Sequence, residues 1–118
     1  MDQALFDRAA PNAAGYRDVD PQDVHAHVGS ARLVDVREPH EWTGELGHIA
    51  EAELHPLATL AGVAATWARD RPIVLVCRSG ARSGRAASQL AQELGFTRVM
   101  NMRGGMIAWN AAGFAVTR

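Results

Sequence analysis

The segment Pro-Ile-Val-Leu-Val-Cys, residues 72–77, constrains the fold of this chain more than any other. All six residues are apolar, and no polar residue alternates with them. A strand with one solvated face alternates apolar and polar side chains, whereas a parallel strand covered on both faces does not. The segment therefore predicts a central parallel strand, with other elements packed on both faces of its sheet.

Short apolar segments alternate with helical patterns along the rest of the chain. Strands are predicted at 16–19, 31–37, 72–77 and 97–102, with a short strand or loop within 47–57. Helices are predicted at 20–29, 38–46, 58–70, 83–95 and 104–113. Asp20, Pro21 and Gly29 provide the start and stop signals of the first helix. This alternation predicts an α/β fold with a mostly parallel sheet.

Two of these helices have a clear apolar face. In the helix at 58–70 the face comprises Leu60, Ala61, Ala64, Trp67 and Ala68. In the helix at 83–95 it comprises Ala86, Ala87, Leu90, Ala91 and Leu94, and Gly95 is the expected C-terminal cap. Both helices are expected to pack these faces against the sheet.

The length of 118 residues indicates one domain. Residues 1–14 carry early acidic residues and no long apolar run, so we expect neither a signal peptide nor a membrane helix there. We interpret this segment as a loose leader and residues 15–118 as the domain. The expected location is the cytoplasm, and no membrane association is expected.

Composition excludes several kinds of chemistry. The net charge is −1, whereas nucleic-acid binders usually carry a strongly basic face, so no nucleic acid is expected as a partner. All 12 basic residues are arginine, which removes Schiff-base and phosphate-binding lysines. The single cysteine cannot form an internal disulfide. The histidines do not cluster with it, so no metal and no cofactor is expected.

That cysteine, Cys77, ends the central strand and is followed by Arg-Ser-Gly-Ala-Arg-Ser, residues 78–83. Glycines allow such a loop to point successive N–H groups inward, and the next helix adds the positive end of its dipole. Arg78, Arg82 and Arg85 lie near in sequence. All these groups favour a thiolate, so we predict that Cys77 is nucleophilic and that its loop holds an anion. The alternative is a buried, inert cysteine.

Four segments of the chain, taken in order, resemble a single-domain rhodanese. They are Leu-Val-Asp-Val-Arg-Glu-Pro-His-Glu-Trp (33–42), Gly-His-Ile (47–49), Cys-Arg-Ser-Gly-Ala-Arg-Ser (77–83) and Gly-Gly-Met-Ile-Ala-Trp (104–109). The resemblance covers about residues 16–114. It implies a parallel five-stranded sheet flanked by helices on both faces. It also implies a sulfurtransferase, in which the cysteine accepts a sulfane sulfur as a persulfide and passes it to cyanide or a thiol.

The resemblance assigns roles to the loop. Cys77 is the implied catalytic residue, and Arg78, Ser79, Gly80, Ala81, Arg82 and Ser83 form the implied anion-binding loop. Loop N–H groups and Arg82 are expected to stabilise the persulfide anion. Arg78 is similar to the cationic loop residue of members that prefer thiosulfate. The expected partners are therefore a small anionic sulfur donor and an external thiol or protein acceptor, because the chain has no second cysteine.

Three more residues are expected to support the site. Asp35 and Arg37 end the second strand, and the resemblance implies an ion pair there that stabilises the loops. Arg103 follows the last strand and is either an anion-steering residue at the active-site mouth or a surface arginine. His48 could suggest a general base, but a thiolate already formed by its loop needs none, so we interpret it as structural.

Three functions remain open at this stage. The leading one is a thiosulfate or persulfide sulfurtransferase of the thiosulfate:cyanide type. The second is a non-enzymatic persulfide carrier that docks on a partner protein. The third is a phosphatase or arsenate reductase on the same fold, which is disfavoured because four residues separate Cys77 from Arg82 where cysteine phosphatases have five. The chain could be a monomer or a homodimer.

Overall fold

The computed structural model describes residues 4–118. It contains six strands and six helices within that range. The strands are β1 (Ala10–Pro11), β2 (Arg17–Val19), β3 (Arg32–Asp35), β4 (Glu53–Leu54), β5 (Ile73–Val76) and β6 (Val99–Met102). The helices are α1 (Ala4–Arg8), α2 (Pro21–Ala26), α3 (Pro39–Trp42), α4 (Leu57–Ala64), α5 (Ala81–Gln92) and α6 (Gly105–Ala111).

The strands form one sheet in the order β1-β2-β6-β5-β3-β4. Strand β5 lies between β6 and β3 and pairs with both in parallel. The five strands β2 to β6 all run parallel, which confirms the expected parallel sheet. Strand β1 was not expected, and it pairs antiparallel with β2. The sheet is therefore mixed and has six strands.

Strand β5 is buried along its whole length, and its side chains alternate between two cores. Val74 and Val76 belong to a core with α1, α2 and α6, whereas Ile73, Leu75 and Cys77 belong to a core with α4 and α5. The structure thus confirms a central strand with helices on both faces of its sheet. None of the helices in residues 4–118 has the length and apolar content needed to cross a membrane.

The expectation of a loose leader at 1–14 differs from the structure at residues 4–11. Leu5 of α1 is 1% exposed and packs in the same core as Val74. The guanidinium of Arg17 donates to the carbonyl of Phe6 at 2.9 Å and lies over its ring. Burial of Leu5 and pairing of β1 fix the segment to the sheet edge. Residues 1–3 of the expected leader lie outside the described residues.

All five predicted helices end before the last residue of their predicted range, and α3 ends at Trp42 rather than Leu46. Helix α2 stops at Ala26 rather than Gly29, because His27 leaves the helical conformation, with φ of −128° and ψ of 37°. Helix α4 stops at Ala64, whose carbonyl accepts hydrogen bonds from the backbone N–H of Trp67 at 3.0 Å and from the guanidinium of Arg69 at 3.2 Å. The prediction that Ala68 is buried was wrong, since it lies in the exposed segment after this helix.

Candidate active site

Cys77 directly follows β5, at the carboxyl end of the parallel strands. This is the end where ligands bind in open α/β sheets. Its side chain is 1% exposed and lies in the core beneath α4 and α5. The polypeptide turns immediately after it and enters α5 at Ala81. The loop is therefore short, and its backbone passes close to the sulfur.

Two hydrogen-bond donors point at the sulfur. The backbone N–H of Gly80 donates to Sγ at 3.1 Å, and the hydroxyl of Ser83 lies 3.3 Å from it. Gly80 has φ of 103°, a left-handed conformation that favours glycine. That conformation turns the Gly80 N–H inward while the chain enters α5. The loop thus places a backbone N–H and a hydroxyl beside the Cys77 sulfur.

The surroundings of Cys77 favour the thiolate. Burial raises the pKa of the thiol, but hydrogen bonds from Ser83, Gly80 and Ser79 outweigh it, so the pKa lies below its ordinary value. A lowered pKa increases the thiolate fraction at neutral pH, and the thiolate is the nucleophilic form. The inert-cysteine alternative does not account for these directed donors.

The start of α6 packs against the back of the loop. The N–H of Met106 donates to the carbonyl of Cys77 at 2.8 Å, and that of Ile107 donates to the carbonyl of Arg78 at 3.1 Å. Gly105 permits this contact, because a Cβ there would lie 2.4 Å from the Cys77 carbonyl oxygen. The Gly104-Gly105 pair therefore brings the first turn of α6 into hydrogen-bond range of the loop backbone.

Asn101 is a site residue that the sequence analysis missed. It lies on β6, is 6% exposed, and its Oδ1 accepts from the Ser83 hydroxyl at 2.6 Å. Its Nδ2 donates to the carbonyl of Gly80 at 3.1 Å. A polar residue inside the apolar strand of residues 99–102 was the available signal. Asn101 reaches the loop because β6 lies beside β5, and this strand order could not be predicted from the sequence.

Arg82 has a different partner from the one expected. Its guanidinium binds the Glu41 carboxylate of α3 through two hydrogen bonds, at 2.7 and 2.8 Å. The hydrogen bond from Arg82 lowers the pKa of Glu41 to about 2, and the bond to Glu41 raises the pKa of Arg82. The structure therefore shows Arg82 paired with Glu41, whereas the sequence analysis expected it to stabilise the persulfide anion.

The remaining loop residues occupy its outer side. Arg78, Ser79 and Ala81 are exposed, whereas Ser83 is fully buried. Arg78 lines an open pocket of about 310 Å³ beside the loop, together with Glu41 of α3. Arg78 is the loop residue in its lining, and Cys77 does not contribute to it. The position of Arg78 is compatible with the expected contact to an anionic donor.

Asp35 and Arg37 form a buried ion pair, and each side chain is 1% exposed. The pair joins Arg37 Nη2 to Asp35 Oδ2 at 2.8 Å, and Arg37 Nε also donates to the carboxylate. The same guanidinium donates to the backbone carbonyls of Gly47 and Glu41. Arg37 thus connects the end of β3 to α3, the helix that supplies the partner of Arg82.

Arg103 lies at the surface and pairs with Asp20 at 3.0 Å, with both side chains 50% exposed. This geometry favours the surface-arginine alternative over a steering role. His48 Nδ1 lies 2.8 Å from the carbonyl of Trp42, and its ring stacks on the Trp42 ring, in line with a structural role. Within residues 4–118, no group of three His, Cys, Asp or Glu side chains is arranged to hold a metal ion.

Comparison with known proteins gives one consistent family. The family model described as Rhodanese-like domain matches residues 20–112. A protein named Sulfurtransferase from Allochromatium vinosum is 40% identical over 84 residues, covering 71% of this chain and 76% of that protein. A protein named Thiosulfate sulfurtransferase GlpE from Pseudoalteromonas translucida is 38% identical over 80 residues, covering 68% and 73% respectively.

The fold is likewise similar to solved structures. A rhodanese-related protein from Thermoplasma volcanium superposes with a TM-score of 0.77 at 29% sequence identity. The match covers 86% of this chain and 98% of that one.

Proposed function

Because this chain belongs to the rhodanese-like domain family, we propose that it is a sulfurtransferase that moves a sulfane sulfur through a persulfide on Cys77. The donor is thiosulfate or a persulfide, and the acceptor is thiophilic, such as cyanide or a thiol. The observation that carries the proposal is the pair of donors, Gly80 N–H and Ser83 hydroxyl, directed at the Cys77 sulfur. The relatives named sulfurtransferase support it.

In the loading step the Cys77 thiolate attacks the outer sulfur of thiosulfate. A sulfur–sulfur bond forms to Cys77 while the sulfur–sulfur bond of thiosulfate breaks, and sulfite leaves with the bonding electron pair. The outer sulfur keeps the negative charge that it carried in thiosulfate, so Cys77 ends as a persulfide anion and sulfite leaves as a dianion. In this proposal loop N–H groups such as that of Gly80 stabilise the persulfide anion, in an interior where water competes poorly.

In the unloading step the acceptor attacks the outer sulfur and Cys77 leaves as a thiolate. With cyanide the product is thiocyanate, and charge and atoms balance without an added oxidant or reductant. Since the sequence has one cysteine, the acceptor comes from outside the chain. A lowered Cys77 pKa assists this step, because a thiol of lower pKa leaves faster. We also place the protein in the cytoplasm, where a free thiol stays reduced.

One observation favours the partner-loaded carrier as a second candidate. Glu41 neutralises Arg82, which weakens capture of a free dianion such as thiosulfate by the loop. A partner protein could instead deliver a persulfide directly to the loop. The same pairing of Arg82 argues against phosphatase chemistry, which uses the loop arginine to bind phosphate.

Intact-protein mass spectrometry tests the proposal. The protein with a verified reduced thiol is measured before thiosulfate, after thiosulfate, and again after cyanide, with Cys77→Ser alongside. We expect the wild type to gain one sulfur atom and lose it to cyanide, while the variant gains none. If the wild type stays unloaded by thiosulfate but gains sulfur from a protein persulfide, the carrier function replaces this proposal. If neither loads it, sulfur transfer is wrong.

A further inference from the structure

The hydroxyl of Ser83 lies between two acceptors. Asn101 Oδ1 is 2.6 Å from it, and Cys77 Sγ is 3.3 Å from it. A serine hydroxyl carries one hydrogen, so it donates to one of the two at a time. The shorter bond goes to Asn101. When Cys77 is a thiol, its S–H can donate to the Ser83 hydroxyl oxygen while that hydroxyl donates to Asn101 Oδ1. When Cys77 ionises, sulfur and amide oxygen compete for the hydrogen.

The orientation of the Asn101 amide is fixed by the loop. The Gly80 carbonyl can only accept, so the amide must turn Nδ2 toward it, which directs Oδ1 at Ser83. The Gly80 carbonyl also accepts from the N–H of Gly84 at 3.0 Å. If the Asn101 amide were lost, the Gly80 carbonyl would still accept the hydrogen bond from the Gly84 N–H. Ser83 would keep one acceptor, the sulfur.

We propose that Asn101 is a positioning residue that competes with Cys77 for the single hydroxyl hydrogen of Ser83, and thereby keeps the thiolate more basic than the loop alone would make it. The inference rests on the proposed function only in taking Cys77 as the nucleophile. A more basic thiolate is a stronger nucleophile, whereas a less basic one is a better leaving group.

The charged groups near the loop do not replace this role. Arg82 of α5 and Glu41 of α3 bind each other, and Asp35 binds Arg37 at the end of β3. The Tyr16 hydroxyl lies beside the start of α5, where a Cβ on Gly84 would be 3.2 Å from it. The exposed Arg78 lies on the outer side of the loop. Asn101 is the amide that binds both Gly80 and Ser83.

An ultraviolet titration measures the Cys77 pKa directly, because a thiolate absorbs near 240 nm and the chain has one cysteine. The titration of each protein is corrected with the same protein carrying Cys77→Ser, which removes the tyrosine signal. We expect Asn101→Leu to lower the Cys77 pKa by about one unit, the effect of one redirected hydrogen bond to a charged group. In a Ser83→Ala background the same substitution should leave the pKa unchanged.

Asn110→Leu is the matched control. Its amide binds the backbone carbonyls of Leu46 and Met106, away from the sulfur, so no shift in the Cys77 pKa is expected. If Asn101→Leu fails to fold, Asn101→Ala removes the same amide without added bulk, and the same shift is expected. A raised or unchanged pKa, or a shift that persists without Ser83, overturns the inference. The titration needs no sulfur donor, so the Cys77 pKa can be measured and interpreted even if the protein does not transfer sulfur.

Discussion

The guanidinium of Arg82 and the carboxylate of Glu41 form a two-bond ion pair between the active-site loop and α3, with oxygens at 2.7 and 2.8 Å. Two parallel bonds of this kind fix both side chains. Glu41 also accepts the N–H of Glu38 at the start of its own helix. The loop that surrounds Cys77 is therefore bound to α3, the helix that follows β3 in the chain, and its positive charge is partly cancelled.

The pair predicts a loss of stability in acid. The pKa of Glu41 is lowered to about 2, so the pair stabilises the fold above the ordinary carboxyl pKa and loses this contribution as pH falls toward 2. We expect the free energy of unfolding of Glu41→Gln to be about 1–2 kcal/mol lower than that of the wild type at neutral pH. This difference between the two proteins should largely disappear near pH 2. Urea unfolding across pH measures it. Asp20→Asn, which breaks an exposed pair, is the control and should cost less than about 1 kcal/mol at neutral pH.

The same variant predicts stronger anion capture. Without the Glu41 carboxylate, the guanidinium of Arg82 is free to bind a donor anion near the loop. We expect Glu41→Gln to lower the KM for thiosulfate several-fold with a smaller change in kcat. Steady-state kinetics with cyanide as acceptor measures both constants. Asp20→Asn frees Arg103 at the surface instead, and should leave KM nearly unchanged. A KM that rises in Glu41→Gln would contradict the prediction.

Gly105→Ala should disrupt the back of the loop. The new Cβ would lie 2.4 Å from the Cys77 carbonyl oxygen and 2.6 Å from the Arg78 carbonyl, contacts that backbone cannot accommodate without moving. We expect a loss of about 2–4 kcal/mol of stability and at least a tenfold slower persulfide loading. Gly113→Ala is the control. It also has positive φ, of 81°, but nothing lies within 4 Å of its Cβ. Equal effects in both variants would assign the loss to φ alone.

Arg37 and Arg103 should differ sharply in their contribution to stability. Arg37→Met leaves the Asp35 carboxylate buried without its cation, and we expect a loss of about 3–5 kcal/mol. Arg103→Met breaks a pair whose side chains are 50% exposed, and we expect less than about 1 kcal/mol. Chemical denaturation at neutral pH measures both. Similar losses for the two variants would refute the buried-pair interpretation.

Leu5→Ala tests whether α1 belongs to the folded unit. Leu5 is 1% exposed in the core shared with α2 and α6, so its truncation leaves a cavity. We expect a loss of about 2–4 kcal/mol of unfolding free energy. Asp7→Ala, at an exposed position of the same helix, should cost less than about 0.5 kcal/mol. A small effect of Leu5→Ala would instead support the loose leader expected from the sequence.

The sequence determined the features that contiguous residues specify. The uninterrupted apolar segment at 72–77 indicated a central strand covered on both faces, and burial of all four residues of β5 confirms it. The donors around the Cys77 sulfur could be predicted from the sequence, because the N–H groups that surround a sulfur in such a turn come from the next few residues. The apolar spacing of α5 likewise indicated the face that Ala86, Ala87 and Leu90 bury.

Only the tertiary structure decided which distant side chains meet at this loop. Asn101 contacts Ser83 because β6 lies beside β5, and Glu41 contacts Arg82 because α3 follows the neighbouring strand β3. A hydrogen bond depends on positions to within tenths of an ångström, and strand order sets those positions. Local sequence specifies Cys77 and its nearest donors. The packing of the sheet specifies the groups that tune them.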